Sequence, residues 1–175
     1  MKLKDVFAVI NQMQADHVIG LYAVGGAVAA TFYLEPVATL DVDIFVAFRP
    51  EPGSRLFSTK AIFDYLVQRG CRTDGEYVIV AGWPVQFLPP TSPLVEQAMN
   101  EAREFDVEGA SVRVLCAEHL AAIALETGRG KDYARLVQFV ESGALDAARF
   151  EQILLQFNLH DKWSAFKDRF SGDRP

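Results

Sequence analysis

The sequence predicts an α+β fold: a small mixed sheet with flanking helices, followed by a C-terminal helical bundle. Three observations predict it. Short apolar runs bounded by Gly and Pro alternate with helical patterns over the first hundred or so residues. The stretch YVIV-AGWP-VQFL, residues 77 to 88, places two β-rich runs about a short Gly/Pro connection, which is a hairpin signal. From Ala117 onward only helical periodicity remains.

In order, Val6, Phe7, Val9, Ile10 and Met13 fall at helical spacing and predict a helix over 4–17. Leu21 to Val24 is a short apolar run that ends in Gly25-Gly26, a strand entering a turn. Ala27 to Leu34 follows as a helix stopped before Pro36. Leu40 to Phe48 reads as a strand, ended by Arg49-Pro50-Glu51-Pro52-Gly53. Phe57 to Gln68 is an amphipathic helix with Gly70 beyond its end. After the hairpin and Pro89-Pro90, Ser92 caps a helix with Pro93 in its first turn, running to about Arg103. Val112 to Leu115 is a short strand. Helices follow over 117–126, 131–141, 146–157 and 161–169, punctuated by Gly128, Gly130, Gly143 and the stretch 158–161. The expected organisation is one compact unit: an α/β core over 1–105 with a helical part over 106–175 packed on it.

Composition narrows the function. Half of the 175 residues are apolar, enough for a substantial core. The net charge of −6 argues against a general polyanion binder. Positive charge is local, however: Arg129, Lys131 and Arg135 lie close together, opposed by Asp132, as a localised phosphate site requires. The longest apolar stretch, Leu21 to Leu34, contains two glycines and is too short to span a membrane. Asp5, Asn11, Gln12, Gln14 and Asp16 interrupt the apolar residues of the N-terminal stretch, unlike a secretory leader. Cys71 and Cys116 read as two buried thiols in a reducing compartment, so a cytoplasmic protein is expected.

The informative stretch is GGAVAATFYLEPVATLDVDIFV, residues 25 to 46. In a strand, Asp41 and Asp43 point to one face while Val42, Ile44 and Val46 point to the other, into the core. Two same-face carboxylates repel, and burying them unpaired costs several kcal/mol by order of magnitude. Something cationic should neutralise them, and a hard divalent ion such as Mg²⁺ suits their oxygens. Gly25 and Gly26, lacking Cβ, let backbone N–H groups approach an anion and open a helix whose N-terminus attracts phosphate. Taken alone, an Asp-x-Asp pair can simply cap loop amides, and a Gly-Gly pair can be a plain turn. Their occurrence in this order, in a strand-helix-strand context, is the specific signal, and it points to Mg²⁺-assisted nucleotide chemistry.

These residues carry a resemblance. The glycine pair, a helix and then DVDIFV are similar to the signature of the polymerase-β-type nucleotidyltransferase superfamily. The stretch CAEHLAAIALETGRGKDYARLVQFV, residues 116 to 140, resembles the helical segment of toxin-type members from abortive-infection and toxin–antitoxin systems, where an Arg-x-Lys-Asp turn joins two helices. The resemblance covers roughly residues 20 to 140. It implies a nucleotidyltransferase-type sheet with a helical bundle closing over the nucleotide. Gly25 and Gly26 would hold the triphosphate of an NTP. Asp41 and Asp43 would ligate Mg²⁺, with Mn²⁺ as an alternative, and position the attacking hydroxyl. Lys131 would contact phosphate, with Arg129 as a helper, and Asp132 would orient Lys131 or cap its helix. The acceptor stays open: an RNA 3′ end, a protein hydroxyl or a small molecule such as an aminoglycoside. An antitoxin-type protein partner is a further implication.

There is one departure. The family's third carboxylate should fall in Val85-Gln86-Phe87-Leu88, and the residue there is Gln86. Glutamine is no general base and a poor ligand for a hard metal. Either two carboxylates suffice, or another acid (Asp74, Glu76 or Asp132) substitutes, or the protein binds nucleotide without turnover as a regulatory module.

Other motifs fall away. GRGKD lacks the upstream glycine and the following Ser/Thr of a P-loop, and no G-x-G-x-x-G exists. Cys116 and His119 have no second pair to complete a zinc site and read as core residues. His17, His119 and His160 are scattered, without a Gly-x-Ser-x-Gly elbow. Trp83 and Trp163 read as packing residues, Trp83 being the better base-stacking candidate because a hairpin turn would expose it. A glycosyltransferase using the Asp-x-Asp on a nucleotide-sugar is disfavoured by the short chain.

Overall fold

The structure, a computed structural model, describes residues 2–35, 41–47 and 59–171. Among these, strands β1 (Tyr22–Val24), β2 (Val42–Val46), β3 (Arg72–Asp74), β4 (Tyr77–Val80), β5 (Trp83–Leu88), β6 (Arg103–Val107) and β7 (Ala110–Val114) form one sheet. Its order is β3-β4-β5-β2-β1-β7-β6. The sheet is mixed: β2–β5 and β1–β7 are parallel, and the other neighbours are antiparallel. The helices are α1 (Leu3–Ala15), α2 (Gly26–Ala30), α3 (Lys60–Gln68), α4 (Pro93–Asn100), α5 (Ala117–Thr127), α6 (Gly130–Ser142), α7 (Ala147–Gln156) and α8 (His160–Ser171). The α+β class with a helical C-terminal part is thus observed, with a wider sheet than the sequence suggested.

The hairpin β4–β5 turns on two residues, Ala81 and Gly82, both with positive φ (48° and 86°). That is the primed geometry whose twist matches the flanking strands. Two strands escaped the sequence reading. Arg72–Asp74 is exposed throughout, and Arg103–Val107 carries charges on its outer face. Both lie at the sheet's edges, where polar residues guard the free ladder and erase the apolar signal. Accordingly α4 ends at Asn100, not near Arg103. Helix α2 stops at Ala30 and passes into tighter turns, with Thr31 N–H bonded to Val28 C=O and Tyr33 N–H to Ala30 C=O. Leu40, Phe48, the turn at 49–53 and residues 57–58 of the expected third helix lie outside the described residues.

One face of the sheet is closed by the N-terminal helix. On α1, Val6, Phe7, Ile10 and Met13 are wholly buried. Tyr22 Oη donates to Asn11 Oδ1 at 2.6 Å, and Asn11 Nδ2 donates to the Ser111 carbonyl at 2.7 Å. Tyr22 and Val24 pair with Val46 and Ile44, and paired residues share a face. Helix α1 therefore covers the side of β2 opposite its carboxylates.

Helix α5 organises the helical part. It packs against α2, α4, α6, α7 and α8. Nearly every residue from Ala117 to Leu125 is buried. Gly128, at φ 70°, ends it in a left-handed cap, and two residues later α6 begins. His119 is fully buried on α5, and burial pushes its imidazole pKa down, as suits the expected packing role. The Cys116 thiol donates to the Glu101 carbonyl, and Cys71 is only partly buried. Trp163 stacks on Phe166 and meets Phe150 edge-on, so it too is a packing residue. No helix among the described residues is long and apolar enough to cross a membrane.

Because α5 packs against α2, α4, α6, α7 and α8, its core residues set the arrangement of the helical part. Leu125 is fully buried, whereas Leu155 on α7 is 69% exposed. Leu125→Ala is expected to cost ~2–5 kcal/mol in urea unfolding, and Leu155→Ala no more than ~0.5 kcal/mol.

Candidate active site

Strand β2 alternates as the sequence predicts: Val42, Ile44 and Val46 are wholly buried, while Asp43 and Phe45 face the other way. Asp41, two residues before Asp43, shares that face. Gln86 lies opposite Asp43 in the parallel β2–β5 pair, and Tyr77 lies opposite Gln86 in the β4–β5 hairpin. Asp43, Gln86 and Tyr77 therefore form one row across three strands. Val85 is wholly buried and Phe87 nearly so, on the opposite face, which fixes the register expected of residues 85–88.

The glycine turn meets this row directly. The Gly25 N–H donates to the Asp43 carbonyl at 2.9 Å. Gly26 adopts φ 59°, a left-handed conformation, and a Cβ there would sit 1.9 Å from Asp43 Oδ2. A Cβ on Gly25 would meet the Phe45 ring at 2.3 Å. Both glycines are thus required before any ligand is considered: one admits a carboxylate, the other an aromatic ring. Helix α2 is only five residues long, so the turn offers close approach and the N–H groups of one first turn.

A pocket of about 540 Å³ opens over this face, within the range of small-molecule sites. Gly26, Asp41, Asp43, Glu76, Tyr77 and Gln86 line one side, and Arg129, Lys131, Asp132 and Arg135 the other. Phe45, Leu88, Leu115 and Leu120 supply apolar lining. The cations come from the start of α6, where Lys131 and Arg135 are four residues apart and share a helix face.

The electrostatics follow from this opposition. Burial pushes the Asp43 carboxyl above its ordinary value, and the charge of Asp41 pushes it further. Lys131, Arg135 and Arg129 act against the rise. Asp132 is buried and accepts from Arg129 twice, at 2.7 Å from Nε and 3.4 Å from Nη2. That pair holds Arg129 and raises its pKa. Asp132 therefore engages Arg129, where the sequence reading had it orient Lys131 or cap its helix. The donor set at Asp41 and Asp43 consists of hard carboxylate oxygens with a net negative excess, which fits a divalent ion such as Mg²⁺.

Of the expected residues, the pocket brings together Gly26, Asp41, Asp43, Gln86, Arg129, Lys131 and Asp132, with Gly25 behind the turn. Among the acids considered for the missing carboxylate, Glu76 lines the pocket and Asp74 does not. Trp83 is half-buried and lies outside the lining, so it is no base platform here. Sequence reasoning did not assign Tyr77, Phe45 or Glu126 to the site, and it named Arg135 only as part of a local cluster of positive charge. Arg135 was detectable as the residue one helical turn after Lys131. Tyr77 was detectable from the hairpin register, once the two-residue turn is fixed at Ala81-Gly82.

No protein-family model matches the sequence, and no curated protein matches it. Solved structures do. The chain is similar to an antigenic nucleotidyltransferase-like protein from Paracoccidioides brasiliensis, with a TM-score of 0.56 and 15% identity over 95% of this chain and 92% of that one. It is also similar to the antibiotic-resistance factor ANT(2'')-Ia in its solution structure, with a TM-score of 0.51 and 14% identity over 98% of this chain and all of that one. At this level of identity the likeness defines the fold, which is nucleotidyltransferase-like.

The raised Asp43 carboxyl makes a stability prediction. Its folded pKa lies above the ordinary carboxylate value, so the folded state holds the proton more tightly than the unfolded one. Wild-type stability should fall as pH rises from about 4 through that folded pKa. In metal-free buffer at pH 7, Asp43→Asn should melt higher than wild type, by ~2–4 °C per kcal/mol of relief. The difference should close below about pH 4, as scanning calorimetry across pH will measure.

Proposed function

We propose that this protein binds a nucleoside triphosphate with a divalent ion and transfers the nucleoside monophosphate to a hydroxyl acceptor. The observation that carries the reading is the opposition inside one pocket. Asp41 and Asp43 face it from the sheet beside a glycine turn, and Lys131, Arg135 and Arg129 face it from α6. A triphosphate would fit such a gap as an anion between the α6 cations and a divalent ion that Asp41 and Asp43 would hold. The nucleotidyltransferase-like fold of the two solved structures supports the same chemistry.

In this reading Gly25-Gly26 lets the phosphates approach the backbone, and Lys131 and Arg135 grip their oxygens. The Asp132–Arg129 ion pair keeps the α6 start in place and leaves Arg129 facing the pocket. A divalent ion bound by Asp41 and Asp43 would supply charge neutralisation and orientation of the triphosphate. The apolar residues Phe45, Leu88 and Leu120 suit the base or the body of an acceptor. The acceptor is an RNA 3′ end, a protein hydroxyl or a small molecule. ANT(2'')-Ia is an antibiotic-resistance factor, which makes small-molecule antibiotics the first acceptors to try.

Gln86 supports a second reading, a nucleotide-binding module without turnover. It sits beside Asp43, where the resemblance expects an acid. One experiment separates the two. Purified protein is incubated with α-³²P-labelled NTPs and Mg²⁺, and label is followed into aminoglycosides, RNA and protein while nucleotide binding is measured in parallel. Transfer of label is the expected result; tight binding without transfer selects the second reading. Asp41→Ala and Asp43→Ala should each weaken Mg²⁺-dependent binding at least ~10-fold, and Lys131→Met ~10–100-fold. Unchanged binding in all three would overturn both readings.

A further inference from the structure

Among the described residues five carboxylates line the pocket, and four of them already have a role. Asp41, just before β2, and Asp43 on it form the cation-seeking pair. Asp132 is buried against Arg129. Glu126 Oε2 accepts from the Ser92 hydroxyl at 3.3 Å, and Ser92 caps α4. The fifth is Glu76. It belongs to the two-residue turn that joins β3 to β4, where Asp74 pairs with Tyr77 and Gly75 takes φ 60°. So short a turn leaves Glu76 little freedom to leave the rim.

Its placement relative to Gln86 is direct. Tyr77, the next residue, is the register partner of Gln86, which is the register partner of Asp43. Neighbouring strands are ~4.8 Å apart, so β4 stands ~10 Å from β2, across the position that lacks an acid. The Tyr77 phenol marks where the charges converge. Desolvation raises it, the charges of Asp41, Glu76 and Asp43 raise it further, and a hydrogen bond to Glu76 adds to the rise. Glu76 is exposed, which suits a group that must exchange its proton with water.

We propose that Glu76 is the general base of the transfer reaction, delivering from the β3–β4 turn the carboxylate that position 86 lacks. This assignment rests on the nucleotidyl-transfer reading. The acceptor hydroxyl oxygen attacks the α-phosphorus and forms the new P–O bond. The bond from the α-phosphorus to its bridging oxygen breaks, and pyrophosphate leaves with the electron pair. The hydroxyl proton passes to the Glu76 carboxylate and from there to water. Tyr77 is a positioning residue, bounding the gap between Glu76 and the Asp pair.

The test measures pyrophosphate release and nucleotide affinity with each of the four Mg-NTPs, with tobramycin and tRNA as hydroxyl probes. Wild type, Glu76→Gln, Glu76→Asp, Gln86→Glu and the double variant Glu76→Gln/Gln86→Glu are compared. Glu76→Gln should lower kcat by ~10²–10⁴, with nucleotide affinity within about twofold of wild type. Glu76→Asp should retain part of the rate. The double variant should regain at least ~10-fold over Glu76→Gln, because Gln86→Glu restores an acid one strand closer to Asp43. A structural role for Glu76 would not be rescued in this way. Wild-type turnover in Glu76→Gln overturns the assignment and leaves the transfer reading intact. Loss of nucleotide affinity in step with kcat also overturns it, since Glu76 would then be a binding residue. A wild type that neither binds nor turns over any NTP overturns the transfer reading and this assignment together.

Discussion

The site depends on one contact: the Asp43 carboxylate lies where a Cβ of Gly26 would be. That constraint fixes the turn after β1, the start of α2 and the approach of β2. The Gly25 N–H completes it by bonding to the Asp43 carbonyl. The glycine pair and the Asp-x-Asp are therefore a single device. A side chain at residue 26 would need a left-handed backbone and would displace the carboxylate as well. Phe45 makes the same demand of Gly25 from the next position on that face.

From this contact the charge arrangement follows. Holding Asp43 partly withdrawn from water beside Asp41 is unfavourable without positive charge nearby. Among the described residues, the positive charge acting on Asp43 comes from the helical part. The start of α6 places three cations toward the pair, and a buried aspartate ties one of them down. Helix α5, packed against its neighbours through nearly all its surface, sets the distance between the two sides. The pocket is thus the seam between sheet and helices.

Much of this was legible in the sequence because it rests on local periodicity. The alternation of residues 41–46 gave the shared face of the two aspartates, and the hairpin at 77–88 placed Gln86. Gly128 and Gly143 marked the ends of α5 and α6, where both take left-handed φ. The edge strands were not legible, since Arg72–Asp74 is exposed throughout and Arg103–Val107 has only Phe105 and Val107 partly buried among charged residues. In the site, what escaped depends on contacts between distant segments. The glycines were read as serving phosphate, and their steric duty to Asp43 and Phe45 is visible only in three dimensions. Asp132 could equally have served Lys131 from sequence, and only the geometry assigns it to Arg129. Tyr77 carries no motif, and Glu76 was one of three candidate acids that the sequence could not rank; both line the pocket through pairing across the sheet.

The central claim is that the carboxylate pair and the α6 cations bind a metal–triphosphate as one unit. Thermal unfolding of the wild-type protein tests it most directly, with Mg²⁺ alone, with a non-hydrolysable NTP analogue alone, and with both. Ligand that binds only the folded state raises stability by RT ln(1 + [L]/Kd), ~2.7 kcal/mol at a hundred times Kd. The account predicts a small rise with either component alone and a rise well beyond their sum when both are present. Additive shifts, or no shift with the pair for any of the four nucleotides, would contradict it.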